Sequence, residues 1–383
     1  MVIDIKSWIS IGLGQIADSI KMILYKQYPE LFEKIDFEND SAFTEPHLFA
    51  YFNSNFKHKF TLKQLLWNYL RDSNKSEVFE VVTDKAGTVL FPEYVYLITG
   101  YKEEKLTCSF DEVLKLHKNK REVSHSFEPI QKIKDTSISL FTRSSSLIDP
   151  FFRDSNGSQI PVTLLRDESQ VQHFERALKI IRNLNKDYYD AIISTLRGVY
   201  FYEGEPNSFV TLSAHGIAFF NIEPENEVVF FIDDITHQCG HIIFNTISFE
   251  KEKWFKVPPL SIVKDINPNS KDTSDLYSRY HGLFTLTEIV NMLDLCLENK
   301  VFEGDEEFEC VGRMIFNLRK FERSLKNLDI PIAYTETGKK WYAYFKSTFE
   351  RVREKRKDIL AKYKVNNQPY VFKLSKFKEA NQR

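Results

Sequence analysis

Apolar residues recur at three- and four-residue intervals over 4–35, where Ile5, Ile9, Leu13, Ile16, Ile20 and Ile23 follow a 3.6-residue period. The spacing predicts an amphipathic helix there and a second helical stretch over about 45–71, including "TLKQLLWNYL". The period changes in "EVFEVVTDKAGTVLFPEYVYLITGY" (77–101), which is rich in β-branched and aromatic residues. Asp84, Ala86 and Gly87 punctuate it as a hairpin would. Residues 102–160 are mixed and hydrophilic, with loops expected at "TRSSS" and "RDSNGSQ". From about 169 the pattern predicts two consecutive helices, and then strands at "RGVYFY" and "FVTLSAHGIAFFNI" separated by the turn-like "EGEPNS". A helix is expected from near Pro224, an irregular loop over 256–275 broken by three prolines, and helices over about 279–299, 307–326 and 338–363. The pattern is that of an α+β protein. A mixed helix and hairpin region, 1–150, precedes a mainly helical domain with a few strands, 151–383, and the periodicity changes near 150.

Composition narrows the function classes. Lys and Arg number 52 against 54 Asp and Glu, a net charge of -2. Such a balance provides no whole-protein field for nucleic acid or an anionic membrane, so neither partner is expected. The basic runs "KLHKNKR" (115–121) and "RVREKRK" (351–357) read mainly as solvated faces. Cys108, Cys239, Cys296 and Cys310 form no C-x-x-C pair, which fits buried thiols in a reducing cytosol. The N-terminus carries Asp4 and Lys6 and lacks a signal-peptide core, and its apolar runs are far shorter than the roughly 20 residues of a membrane span. A cytoplasmic protein is the expectation, and the sequence leaves its oligomeric state unassigned.

The chemistry-bearing stretch is "FIDDITHQCGHIIF" (231–244). His237 and His241 stand four apart, on one face of a helix and close enough to converge on one ion. The same spacing also arises between structural histidines. In the zinc-hydrolase pattern His-Glu-x-x-His the residue after the first His activates water; here it is Gln238, whose amide cannot accept that proton. Asp233 and Asp234, one turn earlier, are candidates to orient the His237 ring. Phe244 and Ile247 stand where a metzincin needs Gly and His, whereas Glu288 is available as the later glutamate of a gluzincin ligand set. His281, before Gly282 and an apolar helix, is the candidate third imidazole, with capping or packing at that helix start as its structural alternative. Three imidazoles with open positions suit Zn(II), or Fe(II) with a chelating cosubstrate and dioxygen. His215 is expected on a strand as a core histidine.

An ordered series of segments resembles the HExxH-motif proteins described as 2-oxoglutarate-dependent peptide β-hydroxylases, found with ribosomal peptide natural-product clusters. The series runs "FERALKIIRNLNKDYYDAI", "RGVYFY", "SAHGIAFFNI", "HQCGH", "YSRYHGLFTL" and the Thr-x-x-Gly helix start in "TETGKKWYAYF". It covers about 170–350 and leaves 1–150 without a counterpart. The resemblance implies His237, His241 and His281 as iron ligands, with Gln238 and Asp234 behind them. It further implies Fe(II), 2-oxoglutarate and O2 as cofactors and a precursor peptide as substrate. For the distal carboxylate of 2-oxoglutarate a cation is needed, and arginine pairs with it bidentately. Arg279 is the first candidate, followed by Arg319 and Arg323. The chain departs from the family in Gln238 and in having one arginine close to the His-Gly pair. The missing glutamate disables hydrolysis but not oxygenation, where metal and cosubstrate carry the hard step. Two alternatives stay open: a zinc hydrolase using Asp233, Asp234 or Glu288 as base, and a degenerate peptide-binding relative. The strands of 77–101 suggest that residues 1–150 bind peptide by strand addition.

Overall fold

A computed structural model of the chain describes residues 4–54, 60–154 and 156–382. With 52% helix, 16% strand, a helical C-terminal part and several small sheets, the protein is α+β. Two compact units divide it: a sheet unit of Ser10–Asp167 and Ile193–Glu223, and a helical unit of Met1–Ile9, Glu168–Ile192 and Pro224–Arg383. The change of pattern near 150 falls inside the sheet unit.

The sheet unit takes residues from Ser10 onward of α1 (Ile5–Gln27), then the short α2 (Pro29–Phe32), α3 (Asp40–Phe43), α4 (Pro46–Asn53), α5 (Leu62–Leu66) and α6 (Asp72–Lys75). The helix expected to reach residue 35 stops at Gln27, because Pro29 lacks an N–H and disfavours helical backbone before it. The stretch expected over 45–71 is likewise divided. Pro46 opens α4 and the Thr61 hydroxyl caps α5, while residues 55–59 lie outside the described residues.

Strands follow as β1 (Phe79–Val82), β2 (Thr88–Phe91), β3 (Val95–Ile98), β4 (Lys105–Asp111), β5 (Val113–Lys118), β6 (Arg121–Val123), β7 (Ser126–Pro129), β8 (Gln131–Lys132), β9 (Ser139–Phe141), β10 (Val162–Leu164), β11 (Gly198–Gly204), β12 (Phe209–Val210) and β13 (Ile217–Asn221). They form sheets of order β1-β4-β5-β6, β2-β3-β7 and β12-β13-β11-β9-β8, with β10 on β11. The expected hairpin at 84–87 is corrected. β1 pairs with β4 and β2 with β3, so that turn passes the chain from one sheet to another. Asp84 shapes it by accepting from the N–H groups of Ala86 and Thr88, both at 2.8 Å. The hydrophilic 102–160 stretch also conceals strands β4 to β9. In β4 only Leu106 and Cys108 are buried and in β5 only Leu114 and Leu116, an alternation too sparse in apolar residues to stand out. Asn119 and Lys120, at φ 52° and 66°, make the two-residue turn into β6. The core of this unit includes rings stacked strand to strand: Phe209 on Phe219 at 4.5 Å, Phe219 on Tyr200 at 5.2 Å, and Tyr200 on Phe141 at 5.1 Å.

The helical unit contains α7 (Glu168–Leu184), α8 (Lys186–Thr195, to Ile192 in this unit), α9 (Val228–Ile247), α10 (Val263–Ile266), α11 (Leu276–Glu298), α12 (Gly304–Asn327), α13 (Glu336–Lys355), α14 (Lys357–Lys362) and α15 (Leu374–Ala380). These match the expected helices to within a few residues, apart from α15, the break between α13 and α14, and the one-turn α10 inside the expected loop of 256–275. The helix α9 is buried along almost its whole length, as "VVFFI" and "IIF" require, and packs on α7, α11 and α12. Asp275 caps α11 by accepting from Ser278 N–H, and Thr335 caps α13 by accepting from Gly338 N–H. A Cβ at Gly338 would collide with the Trp254 carbonyl, so the glycine of the Thr-x-x-Gly start is required by backbone approach. The basic run at 351–357 is partly a clamp. Arg351, Lys355 and Arg356 close on buried Asp294 of α11 at 3.2, 2.9 and 2.7 Å.

Candidate metal centre

One helical turn separates His237 from His241 on α9, and their Nε2 atoms lie 3.0 Å apart. Close approach of α11 depends on Gly240. A Cβ there would stand 3.2 Å from Thr285 Cγ2 and 3.3 Å from the Tyr188 hydroxyl, so those side chains would have to give by a few tenths of an ångström. That approach brings His281 of α11 to the pair, its Nε2 2.9 Å from His241 Nδ1 and 3.0 Å from the His241 carbonyl oxygen. Phe244 stacks on the His281 ring at 5.0 Å. The three imidazoles named from sequence are thus neighbours, although forty residues separate the last two.

Their nitrogens run as a relay instead of pointing at one centre. His241 turns Nε2 to His237 and Nδ1 to His281, and each neutral ring has one donor and one acceptor with which to continue the chain. In this arrangement, and among the described residues, no group of three or more His, Cys, Asp or Glu is placed to hold a metal ion. The donor chemistry nevertheless fits one. Burial is the main cause that takes His237 down to about 4 and His241 and His281 well below their ordinary value; like-charge neighbours add to it. All three are therefore neutral nitrogen donors at pH 7. The 3.0 Å between the Nε2 atoms of His237 and His241 is about the edge spanned by two nitrogens bound at roughly 2.1 Å and a right angle. His281 fits once its Nε2 leaves the His241 carbonyl.

Carboxylates are kept from this trio by other commitments. Gln238 donates to Asp234 at 3.0 Å and lies 3.4 Å from His237 Nδ1, linking that carboxylate to the ring. Asp233 receives Arg313 at 3.0 Å and Asn317 at 3.3 Å, and Arg313 also donates to Glu309 at 2.7 Å. Glu288 shares a face of α11 with His281 and lies two turns on, about 10 Å along the axis. Burial raises its carboxyl to about 7, with Tyr344 as hydrogen-bond partner at 3.4 Å.

The expected arginines occupy the surface. Arg279 is two residues from His281, hence on another side of α11, and its guanidinium grips Asp272 at 2.6 and 3.0 Å. Arg279 and Arg323 meet with Lys271 around an open basin of about 380 Å³, and Arg319 is exposed on α12. Two cations act on the imidazoles: Lys251 adds to the lowering of His281, and the charge that adds to the lowering of His237 is that of Lys320. Its ammonium sits over the Phe316 and Tyr370 rings at 4.3 and 4.7 Å and donates to the Tyr370 carbonyl at 2.7 Å. Sequence reasoning passed over Lys320 for its arginine neighbours. The available signal was spacing: Arg313, Asn317 and Lys320 form the stripe of α12 turned to α9. His215 lies in the sheet unit, after a 3-10 turn, buried edge-on against Phe49. No family model matches the chain, and no curated protein matches it.

Proposed function

We propose that the protein is an Fe(II)- and 2-oxoglutarate-dependent oxygenase that hydroxylates a side-chain β-carbon of a ribosomally made precursor peptide. One observation carries the proposal: three neutral imidazoles lie in contact, with an amide where a hydrolase keeps its carboxylate base. Iron, when bound with 2-oxoglutarate and dioxygen, supplies the oxidant that removes hydrogen from carbon. The protein's part is to hold and orient. His237, His241 and His281 would be the ligands, and Gln238 positions the His237 ring through Nδ1. Phe244 covers His281 and limits water there. Lys320, on the stripe of α12 turned to α9, is the candidate to receive the distal carboxylate, ahead of Arg279, Arg319 and Arg323, with Lys251 beside His281 as the other cation. For the peptide, the ends of the two sheets differ: β1 and β2 are largely buried, with Gln64 bonded to the Val82 N–H and the Leu90 carbonyl, whereas β6 and β7 end the same sheets with exposed residues, the condition for adding a strand.

Hydrolysis by zinc has less support, since Asp233 is held by Arg313. The test is metal analysis after anaerobic purification, followed by succinate release with a candidate peptide. Stoichiometric iron, lost in His237→Ala and in His281→Ala, with peptide gaining one oxygen, is the expected result. Bound zinc with peptide cleavage indifferent to 2-oxoglutarate would sink the proposal. Absence of metal with unchanged stability in His237→Ala would favour a degenerate binding protein.

A further inference from the structure

Only four residues of α9 are not buried: Asp234, His237, His241 and Asn245. All four are polar, and they recur at intervals of three and four, so they form one open line along the helix. His281 of α11 joins the line at His241. Past the end of α9 the chain turns through Lys251. The Lys251 ammonium lies over the Tyr277 ring at 4.3 Å, and that ring is 5.8 Å from the ring of His281, one turn along α11. Tyr277 is buried, and its hydroxyl is held by Asn245 and Ser248 at 2.8 and 2.9 Å. The surface beneath the ammonium is thus fixed from α9 and α11 together.

No carboxylate among the described residues pairs with this ammonium. The acids closest to it in the chain or around His281 are committed: Glu250 pairs with Lys253, and Asp275 caps α11. A ring face attracts the charge but does not take N–H bonds as an oxygen would. The charge still reaches the trio, where it opposes protonation of His281, as Lys320 does at His237. The open line of α9 therefore has a cation toward each end, and 2-oxoglutarate brings a distal carboxylate for one of them. We propose that Lys251 receives a carboxylate of the peptide substrate, carried by an acidic side chain or by a chain terminus close to the modified residue. Assigning the line to peptide rests on the oxygenase reading, but the binding itself needs neither iron nor turnover.

The experiment titrates the full chain, without added metal and followed by nuclear magnetic resonance, with three acetylated tripeptides. They are Ala-Asp-Ala amide, Ala-Asn-Ala amide, and Ala-Ala-Ala with a free terminal carboxylate. At least one of the two carboxylate peptides should bind about tenfold more tightly than the asparagine peptide, and which one does so assigns the source. Lys251→Met should abolish that preference, and Lys251→Glu should transfer it to acetylated Ala-Lys-Ala amide. Lys253→Met, which removes an ammonium already held by Glu250, should leave the preference intact. A merely structural Lys251 predicts no such exchange of preference. Equal or undetectable binding of the acidic and amide peptides, or a preference that survives Lys251→Met, overturns the proposal. So does weaker binding of 2-oxoglutarate in Lys251→Met, which would give the lysine to the cosubstrate. Selective peptide binding without succinate release would support the carboxylate site and count against the oxygenase reading alone.

Discussion

At the residue scale, opposite pKa shifts occur on adjoining helices. His237 titrates at about 4 in the folded chain against 6.5 as a free side chain, so folding favours its neutral form. That stability is complete above pH 6.5 and is lost as pH falls toward 4, and His241 and His281 act in the same direction. Glu288, raised from 4.5 to about 7, has the reverse sign: its contribution is complete below 4.5 and is lost as pH rises through 7. Glu288→Gln should therefore raise the unfolding temperature at pH 8 by the equivalent of a few kcal/mol at most and change little at pH 5. An equal effect at both pH values in thermal melts would remove Glu288 as the source. Lys320 gives the second prediction at this scale. If it receives the distal carboxylate, Lys320→Met should raise the 2-oxoglutarate concentration for half-maximal succinate release at least about tenfold. Iron content should stay the same; a parallel loss of iron would assign Lys320 to the fold of the metal helix instead.

At the element scale, legibility followed the strength of periodicity. α9, α11 and α12 were readable from sequence because each is a long run rich in apolar residues, on nearly every side in α9 and α11 and along a stripe in α12, and so was His281, placed just inside the start of its helix. The strands β4 to β9 were not readable, because β4 and β5 bury only two residues each, β7 and β8 bury none, and the buried β9 is three residues long. The orientation of the His241 ring was beyond reach for another reason: it depends on which nitrogen meets a helix forty residues away. Interhelical charge was also hidden. "RVREKRK" is indistinguishable in sequence from a solvated face, yet it holds Asp294, which is 1% exposed. Burial alone would raise the Asp294 carboxyl, but hydrogen bonds from Lys355 and Arg356 bring it below its ordinary value. Asp294→Asn should detach the end of α13 from α11 and destabilise the helical unit by about 3 kcal/mol, seen as a lower urea midpoint. A shift below about 0.5 kcal/mol would mean that solvent screens these pairs as it does exposed ones.

At the scale of the whole molecule, neither unit is a continuous stretch of chain. The expected division at 150 would have separated β9 from its partner, since Gly198 of β11 lies opposite Ser139 and Tyr200 opposite Phe141. Splitting the gene there should yield two fragments that do not fold independently. Circular dichroism of 1–150 lacking a cooperative melt is the expected outcome, and a sharp melt would contradict the pairing. For the same reason, loss of peptide binding on deleting 1–150 would report unfolding.

The parallel pairing of β9 with β11 also sets a schedule for biosynthesis. β9 leaves the ribosome before β11 exists, and roughly 60 residues, including α7 and α8, must be translated first. At about 5–20 residues per second that is an interval on the order of several seconds. Throughout it the flank of Ser139–Phe141 that will receive β11 has no partner. Nascent chains stalled in that window should be the ones that holdase chaperones retain, and release should follow the emergence of residues 198–221.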